Sequence, residues 1–115
     1  MLVWQKSMVL AKQIYEVTRT FPREEKFGLV SQMRRAAVSI PSNIAEGQAR
    51  KSTAEFVQFI SMAEGSVAEL DTQLQLSLDL DFTNSARAAE PFETLLELKR
   101  MLNGLRRALT RSEGI

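Results

Sequence analysis

Apolar residues recur every three or four positions along almost the whole chain, and this spacing constrains the fold more than any other feature. Such a repeat puts apolar side chains on one face of an α-helix. Only five Gly and three Pro interrupt the 115 residues. The pattern therefore predicts four amphipathic helices, over residues 3–19, 23–48, 52–80 and 84–110.

Four long helices with short connections favour one domain over residues 1–115, folded as an all-α, antiparallel up-and-down four-helix bundle. Each helix is expected to turn its apolar stripe towards the core. The predicted stripes are Trp4, Met8, Ala11, Tyr15 and Thr18; Leu29, Met33, Ala37, Ile40 and Ile44; Phe56, Phe59, Ile60, Ala63, Val67, Leu70, Leu74 and Leu78; and Ala88, Phe92, Leu95, Leu98, Leu102, Leu105 and Leu109.

Local signals mark the helix ends and some irregular positions. Pro41 lies inside the second helix, where it should kink the axis, with a break as the alternative. Gly47 is the expected terminator of this helix. Ser52 begins a capping-box pattern for the third helix, and Asn84 is the candidate N-cap of the fourth. Gly65, inside the third helix among small residues, is interpreted as a point of close helix contact.

Residues 74–82 alternate strictly between apolar and polar side chains, which is the period of a half-buried strand. Their Leu and Gln residues are good helix formers and none is β-branched, so we predict a helix here as well. In a helix, Leu76 and Leu80 point away from Leu74 and Leu78 and need a second partner. Leu76 and Leu80 are therefore candidates for an oligomer interface.

The composition removes much of the usual catalytic chemistry. The chain has no Cys and no His, which excludes thiolate nucleophiles, disulfides, the Ser-His-Asp triad and most zinc and copper sites. We therefore predict a protein that is not an enzyme, with no cofactor and no metal site. No signal-peptide core and no membrane-length apolar run is visible, so we expect a cytoplasmic protein with no membrane partner.

The net charge of +1 hides an uneven distribution. Residues 1–50 carry a net charge of +4, residues 51–82 carry −5, and residues 83–115 carry +2. An acidic element between two basic ones suits pairing within a bundle or between subunits. It does not by itself make a nucleic-acid surface.

A polar stripe follows one side of the second helix. Its residue types suit the backbone groups that a kink exposes, so we interpret it as a structural hydrogen-bonded network. A ligand or partner site and a catalytic carboxylate pair are the alternatives. Glu46 is expected to pair with Arg35 or Arg50, or to meet Glu64. The candidate residues are Gln32, Arg35, Ser39, Ser42, Asn43, Glu46 and Glu64.

Basic residues are the candidates for nucleic-acid contacts. Within one chain they are scattered, which is typical of a solvated surface or of intersubunit salt bridges. A ring of copies could bring several of them together on a phosphate backbone. The candidates are Arg19, Arg23, Arg34, Arg50, Lys51, Arg106, Arg107 and Arg111.

Several blocks of the sequence resemble one known family. Residues 27–47, FGLVSQMRRAAVSIPSNIAEG, look like the signature of the four-helix-bundle proteins encoded in intervening sequences of bacterial 23S rRNA genes. Residues 63–74 and 100–105 resemble its other two blocks, and residues 15–22 fit the end of its first helix.

This resemblance implies an all-α bundle that assembles as a ring, namely a homopentamer. Related bundles are accessory proteins of diversity-generating retroelements, whose strongly basic rings bind nucleic acid and a reverse transcriptase; this chain departs from them in its net charge of +1. We therefore expect a non-catalytic, self-assembling bundle that recruits RNA, DNA or a nucleic-acid-binding protein. The alternatives are a protein–protein adaptor without a nucleic-acid role and a small-ligand binder at the 39–47 stripe.

Overall fold

The computed structural model describes residues 1–112, which form α-helices joined by short connections and one short 3-10 helix. The prediction of an all-α fold is confirmed. Residues 113–115 of the predicted domain lie outside the described residues. The elements are α1 (Leu2–Thr18), the 3-10 helix (Arg23–Glu25), α2 (Leu29–Gln48), α3 (Thr53–Asp79) and α4 (Ser85–Ser112).

The four helices form the predicted up-and-down bundle. Each of α1 and α3 contacts both α2 and α4, so α1 and α3 lie on a diagonal. Between α2 and α3, the hydroxyls of Ser39 and Ser66 lie 2.7 Å apart, and Ser77 Oγ lies 3.5 Å from Met33 Sδ. Residue numbers thus fall along α3 as they rise along α2, which is the antiparallel arrangement.

The core is built from the stripes predicted for α2, α3 and α4. Met33, Ile40, Leu70, Leu74 and Leu98 are fully buried. The three-to-four spacing therefore identifies the inward face of these three helices correctly.

Most of the stripe predicted for α1 was wrong by one residue, which is about 100° around a helix. Of its members, Thr18 is buried as predicted and Ala11 packs partly buried against the core. Trp4, Met8 and Tyr15 remain 37%, 37% and 42% exposed. A buried Tyr hydroxyl or Trp N–H needs a hydrogen-bond partner, whereas the neighbouring aliphatic stripe fills the core without that cost. The buried residues of α1 are Val3, Ser7, Leu10, Ile14, Val17 and Thr18.

Helix α2 begins at Leu29 and not at residue 23 as predicted. Gly28 adopts φ −104° and ψ −112°, outside the helical region, and separates the 3-10 helix from α2. Leu29 N donates to Glu25 Oε1 at 3.2 Å, so this carboxylate caps α2. A β-carbon on Gly28 would lie 3.1 Å from the same oxygen, so the glycine leaves room for the cap.

Two glycines have roles that differ from those predicted. Gly47 lies inside α2, which continues to Gln48, so it is not the terminator. A β-carbon on Gly47 would lie 2.7 Å from Phe59 Cβ and 2.9 Å from Phe56 Cδ1, so this glycine lets α2 and α3 approach closely. Among residues 1–112, nothing lies within 4 Å of a β-carbon built on Gly65, so the close contact predicted there is absent within the chain.

The predicted N-caps are present. Glu55 N donates to Ser52 Oγ at 3.1 Å, and Arg87 N donates to Asn84 Oδ1 at 2.9 Å. The alternating segment is helical as far as Asp79, so the helix prediction for it is confirmed.

Candidate functional site

The polar residues around Pro41 bond to their own helix and to α3. Helix α2 continues through Pro41, which is buried. Ser39 Oγ donates to Ala36 O at 2.6 Å and lies 2.7 Å from Ser66 Oγ, and Asn43 Nδ2 donates to Ser39 O at 2.8 Å. These polar groups are occupied by bonds within the chain, and the contact between Ser39 and Ser66 joins α2 to α3.

The other members of the predicted polar stripe do not converge. Arg106 Nε donates to Glu64 Oε1 at 2.7 Å, which joins α3 to α4. Glu46 Oε2 lies 3.8 Å from Nη2 of Arg50, four residues further along the chain. The two carboxylates thus belong to different ion pairs. The remaining members are exposed on α2, and they are Gln32, Arg35 and Ser42.

One side of the bundle exposes large apolar side chains with cations beside them, and we call it the α1–α2 face. Trp4, Met8 and Tyr15 lie along one side of α1. Val38 of α2 is 43% exposed and Phe27 is 88% exposed, and both line one shallow cavity of about 650 Å³ with Tyr15. Among the described residues, the cavity lining includes no carboxylate. Its cations are Lys26, Arg34 and Arg35.

Arg34 fixes the geometry of this face. Its Nε donates to Thr18 Oγ1 at 3.0 Å, and its guanidinium carbon lies 4.4 Å from the centroid of the Tyr15 ring. A guanidinium over an aromatic ring is attracted by the ring's negative face. The Arg34 side chain is therefore held in a fixed position over the Tyr15 ring.

A second exposed stripe follows α3, and we call it the α3 stripe. Its members are spaced by three, four or seven residues, so they share one side of the helix. Three of its members are large and apolar: Met62 is 54% exposed, Leu76 is 46% exposed and Leu80 is 50% exposed. Leu76 and Leu80 are thus exposed, as the helical period predicts. The stripe consists of Met62, Gly65, Glu69, Leu76 and Leu80.

Five of the eight candidate nucleic-acid contacts lie in the half of the bundle that contains the α2–α3 turn and the C-terminal part of α4, which we call the basic end. Arg50 and Lys51 lie in the turn between α2 and α3, and the last turns of α4 reach the same end because neighbouring helices are antiparallel. Within residues 1–112, Lys51, Arg107 and Arg111 make no ion pair. The members from α4 are Arg106, Arg107 and Arg111, which line a shallow cavity of about 430 Å³.

The structure separates the other three basic candidates from this end. Arg19 and Arg23 lie at the opposite end of the bundle, near the connection from α1 to α2. Arg19 Nη2 lies 3.4 Å from Glu16 Oε1 in an exposed ion pair. Arg34 is bound to α1 on the α1–α2 face.

Two further observations concern metal-binding groups and membrane-spanning helices. Within residues 1–112, no group of three or more His, Cys, Asp or Glu side chains is arranged to hold a metal ion. No helix in this part of the chain combines the length and the apolar run needed to cross a bilayer.

Sequence reasoning missed the α1–α2 face because α1 contains two overlapping apolar stripes. Val3, Leu10, Ile14 and Val17 also recur at helical spacing, and they are the stripe that enters the core. The signal that could have found the face is this second stripe, since two apolar stripes on one helix require two partners.

Comparison with known proteins agrees with this architecture. The family model described as 23S rRNA-intervening sequence protein matches residues 1–104. A crystal structure of a protein with unknown function from the S23 ribosomal protein family of Bacteroides thetaiotaomicron is similar, with a TM-score of 0.84 and 22% identity over 92% of this chain and 96% of that chain. At this identity the likeness concerns the fold alone. No curated protein matches the chain.

Proposed function

The chain belongs to the 23S rRNA-intervening sequence protein family, and we propose that it is a non-catalytic helical bundle that assembles with copies of itself into a closed, ring-like homo-oligomer. The observation that carries this proposal is the α1–α2 face. Trp4, Met8 and Tyr15 are exposed although α1 already supplies a complete stripe to the core. Contiguous exposed apolar patches on globular proteins mark interaction sites.

The α3 stripe supports the same proposal independently. Leu76 and Leu80 are about half exposed on a helix whose other side fills the core. Because half of each side chain is already covered, covering the rest contributes about half of the ~1.5–3 kcal/mol that full burial of a leucine gives. A helix with apolar residues on two sides is stable when both sides have partners.

The fate of the polar stripe supports a non-catalytic role. Ser39 and Asn43 bond to backbone carbonyls of α2, and Glu64 is paired with Arg106. General acid–base chemistry needs a titratable group whose environment tunes it and that can reach a substrate. These bonds lie within α2 or join α3 to α4 instead, which supports a structural role.

A substitution on the α1–α2 face tests self-assembly. Val38→Glu is expected to convert the oligomer into a folded monomer, because the interface would then have to cover an ionised carboxylate in place of an apolar side chain. Sedimentation velocity measures the mass, and far-ultraviolet circular dichroism checks that the helices remain.

The matched control is Val9→Glu. Val9 is 46% exposed, close to the 43% of Val38, but it lines the groove between α1 and α4. This variant should assemble as the wild type does. A Val38→Glu variant with the wild-type mass, or a Val9→Glu variant that dissociates equally, would contradict the proposal.

A second candidate function is recruitment of a nucleic-acid backbone by the basic end. The supporting observations are that five cations lie in this half of the bundle, and that Lys51, Arg107 and Arg111 make no ion pair within residues 1–112. Phosphate contacts of this kind release condensed counterions, so the resulting binding weakens steeply with salt. Copies that point the same way in a ring would repeat the basic end on one rim.

The test is a salt titration with a single-stranded RNA and a duplex DNA oligonucleotide. Replacing Arg107 and Arg111 with Glu should weaken binding and reduce the slope of log affinity against log salt by about one for each cation removed. The control replaces Arg19 and Arg23 with Glu at the opposite end and should bind almost as the wild type does. No binding at low salt, or equal loss in both variants, would sink this candidate.

A further inference from the structure

We propose that the contact between copies is head-to-tail, with the α1–α2 face of one copy docked on the α3 stripe of the next. This inference rests on the proposed self-assembly and adds which two surfaces meet. The partner of each surface is a second copy of this chain. Two observations carry the inference, namely the charges beside the two apolar surfaces and their positions around the bundle.

The two apolar surfaces carry opposite charges. Lys26, Arg34 and Arg35 line the cavity of the α1–α2 face. Helix α3 contains five carboxylates and no Lys or Arg, and one of the five, Glu64, is paired with Arg106 of α4. Glu69 lies within the α3 stripe itself and is exposed. Surfaces of opposite charge attract and exclude their own kind, so each surface fits the other better than it fits itself.

The charges disfavour one simple alternative. A two-fold contact that sets the cavity of the α1–α2 face against the same cavity would bring its three cations against three identical cations. Because α1 and α3 are diagonal in the bundle, the α1–α2 face and the α3 stripe point in different directions. A contact between two different surfaces repeats from copy to copy and forms a closed ring when the rotation closes.

Gly65 fits this arrangement. It lies in the middle of the α3 stripe, inside a helix, where glycine is a poor helix former. Among residues 1–112, nothing occupies the space within 4 Å of a β-carbon built there. A helix of the next copy could therefore approach the backbone of α3 closely at this point, which is the contact that the chain does not make with itself.

A mixing experiment tests the inference. Val38→Glu blocks the α1–α2 face and leaves the α3 stripe intact, whereas Leu76→Lys blocks the α3 stripe and leaves the α1–α2 face intact. Each variant alone is expected to be monomeric. A mixture of the two is expected to form a mixed species of at least two chains of 13.0 kDa, because one intact copy of each surface remains. Native mass spectrometry identifies the variants in the complex.

The controls separate the failure of this inference from failure of the proposed function. The control is Leu96→Lys, because Leu96 of α4 is 49% exposed, close to the 46% of Leu76, but lies outside the α3 stripe. This variant should assemble as the wild type does. Should either blocking variant lose its helical circular dichroism, Phe27→Glu and Leu80→Lys repeat the pair. A monomeric wild type would overturn both proposals. With an oligomeric wild type, a Leu76→Lys variant that still assembles alone, or a mixture that stays monomeric, would overturn only the head-to-tail contact.

Discussion

Replacing Leu74 with alanine is expected to lower the free energy of unfolding by about 2–5 kcal/mol, because the substitution removes a core side chain and leaves a cavity. Leu74 is fully buried between the helices. Leu76, two residues further along the chain, is 46% exposed. Leu76→Ala should therefore change the free energy of unfolding of the single chain by no more than about 0.5 kcal/mol.

Urea denaturation measures both substitutions. The measurements belong in the Val38→Glu background, which is expected to be monomeric, so that assembly does not contribute to the unfolding free energy. The contrast distinguishes a helix from a strand in the alternating segment. Equal losses at the two positions would contradict the structure, since a strand puts residues 74 and 76 on the same face.

Replacing Gly47 with alanine is expected to destabilise the bundle by about 1–3 kcal/mol, the usual cost of overpacking a close contact. The added β-carbon would lie 2.7 Å from Phe59 Cβ. That atom is attached directly to the backbone of α3, so relief requires the two helices to move apart. The cost is partly offset by alanine's better helix propensity, about 1 kcal/mol.

Gly104→Ala is the matched control. Gly104 also lies inside a helix, but no described atom lies within 4 Å of its added β-carbon. This variant should gain up to about 1 kcal/mol from helix propensity alone. Thermal or urea unfolding measures the stability of both variants. A Gly47→Ala variant as stable as Gly104→Ala would show that α2 and α3 are not in close contact at Gly47.

The fold was largely predictable because helical periodicity depends on local spacing. The stripes of α2, α3 and α4 were identified from the sequence, as were the caps at Ser52 and Asn84. The start of α2 was not, because Glu25 caps the helix from four residues away through the unusual backbone of Gly28. Backbone conformation at a glycine is not encoded in the spacing of apolar residues.

The candidate site was less predictable than the fold. Leu76 and Leu80 were found because they lie on the wrong side of a helix whose core stripe was clear. Trp4, Met8 and Tyr15 were assigned to the core because α1 offers two stripes and spacing alone does not rank them. The role of Gly47 depends on the separation of two helices, which spacing within one helix does not give.

Sedimentation equilibrium of the wild-type protein over a micromolar concentration series measures whether the chain assembles with itself. The two exposed apolar surfaces predict a particle whose mass is a whole multiple, greater than one, of the 13.0 kDa chain. A single species of 13.0 kDa across the whole series would contradict self-assembly.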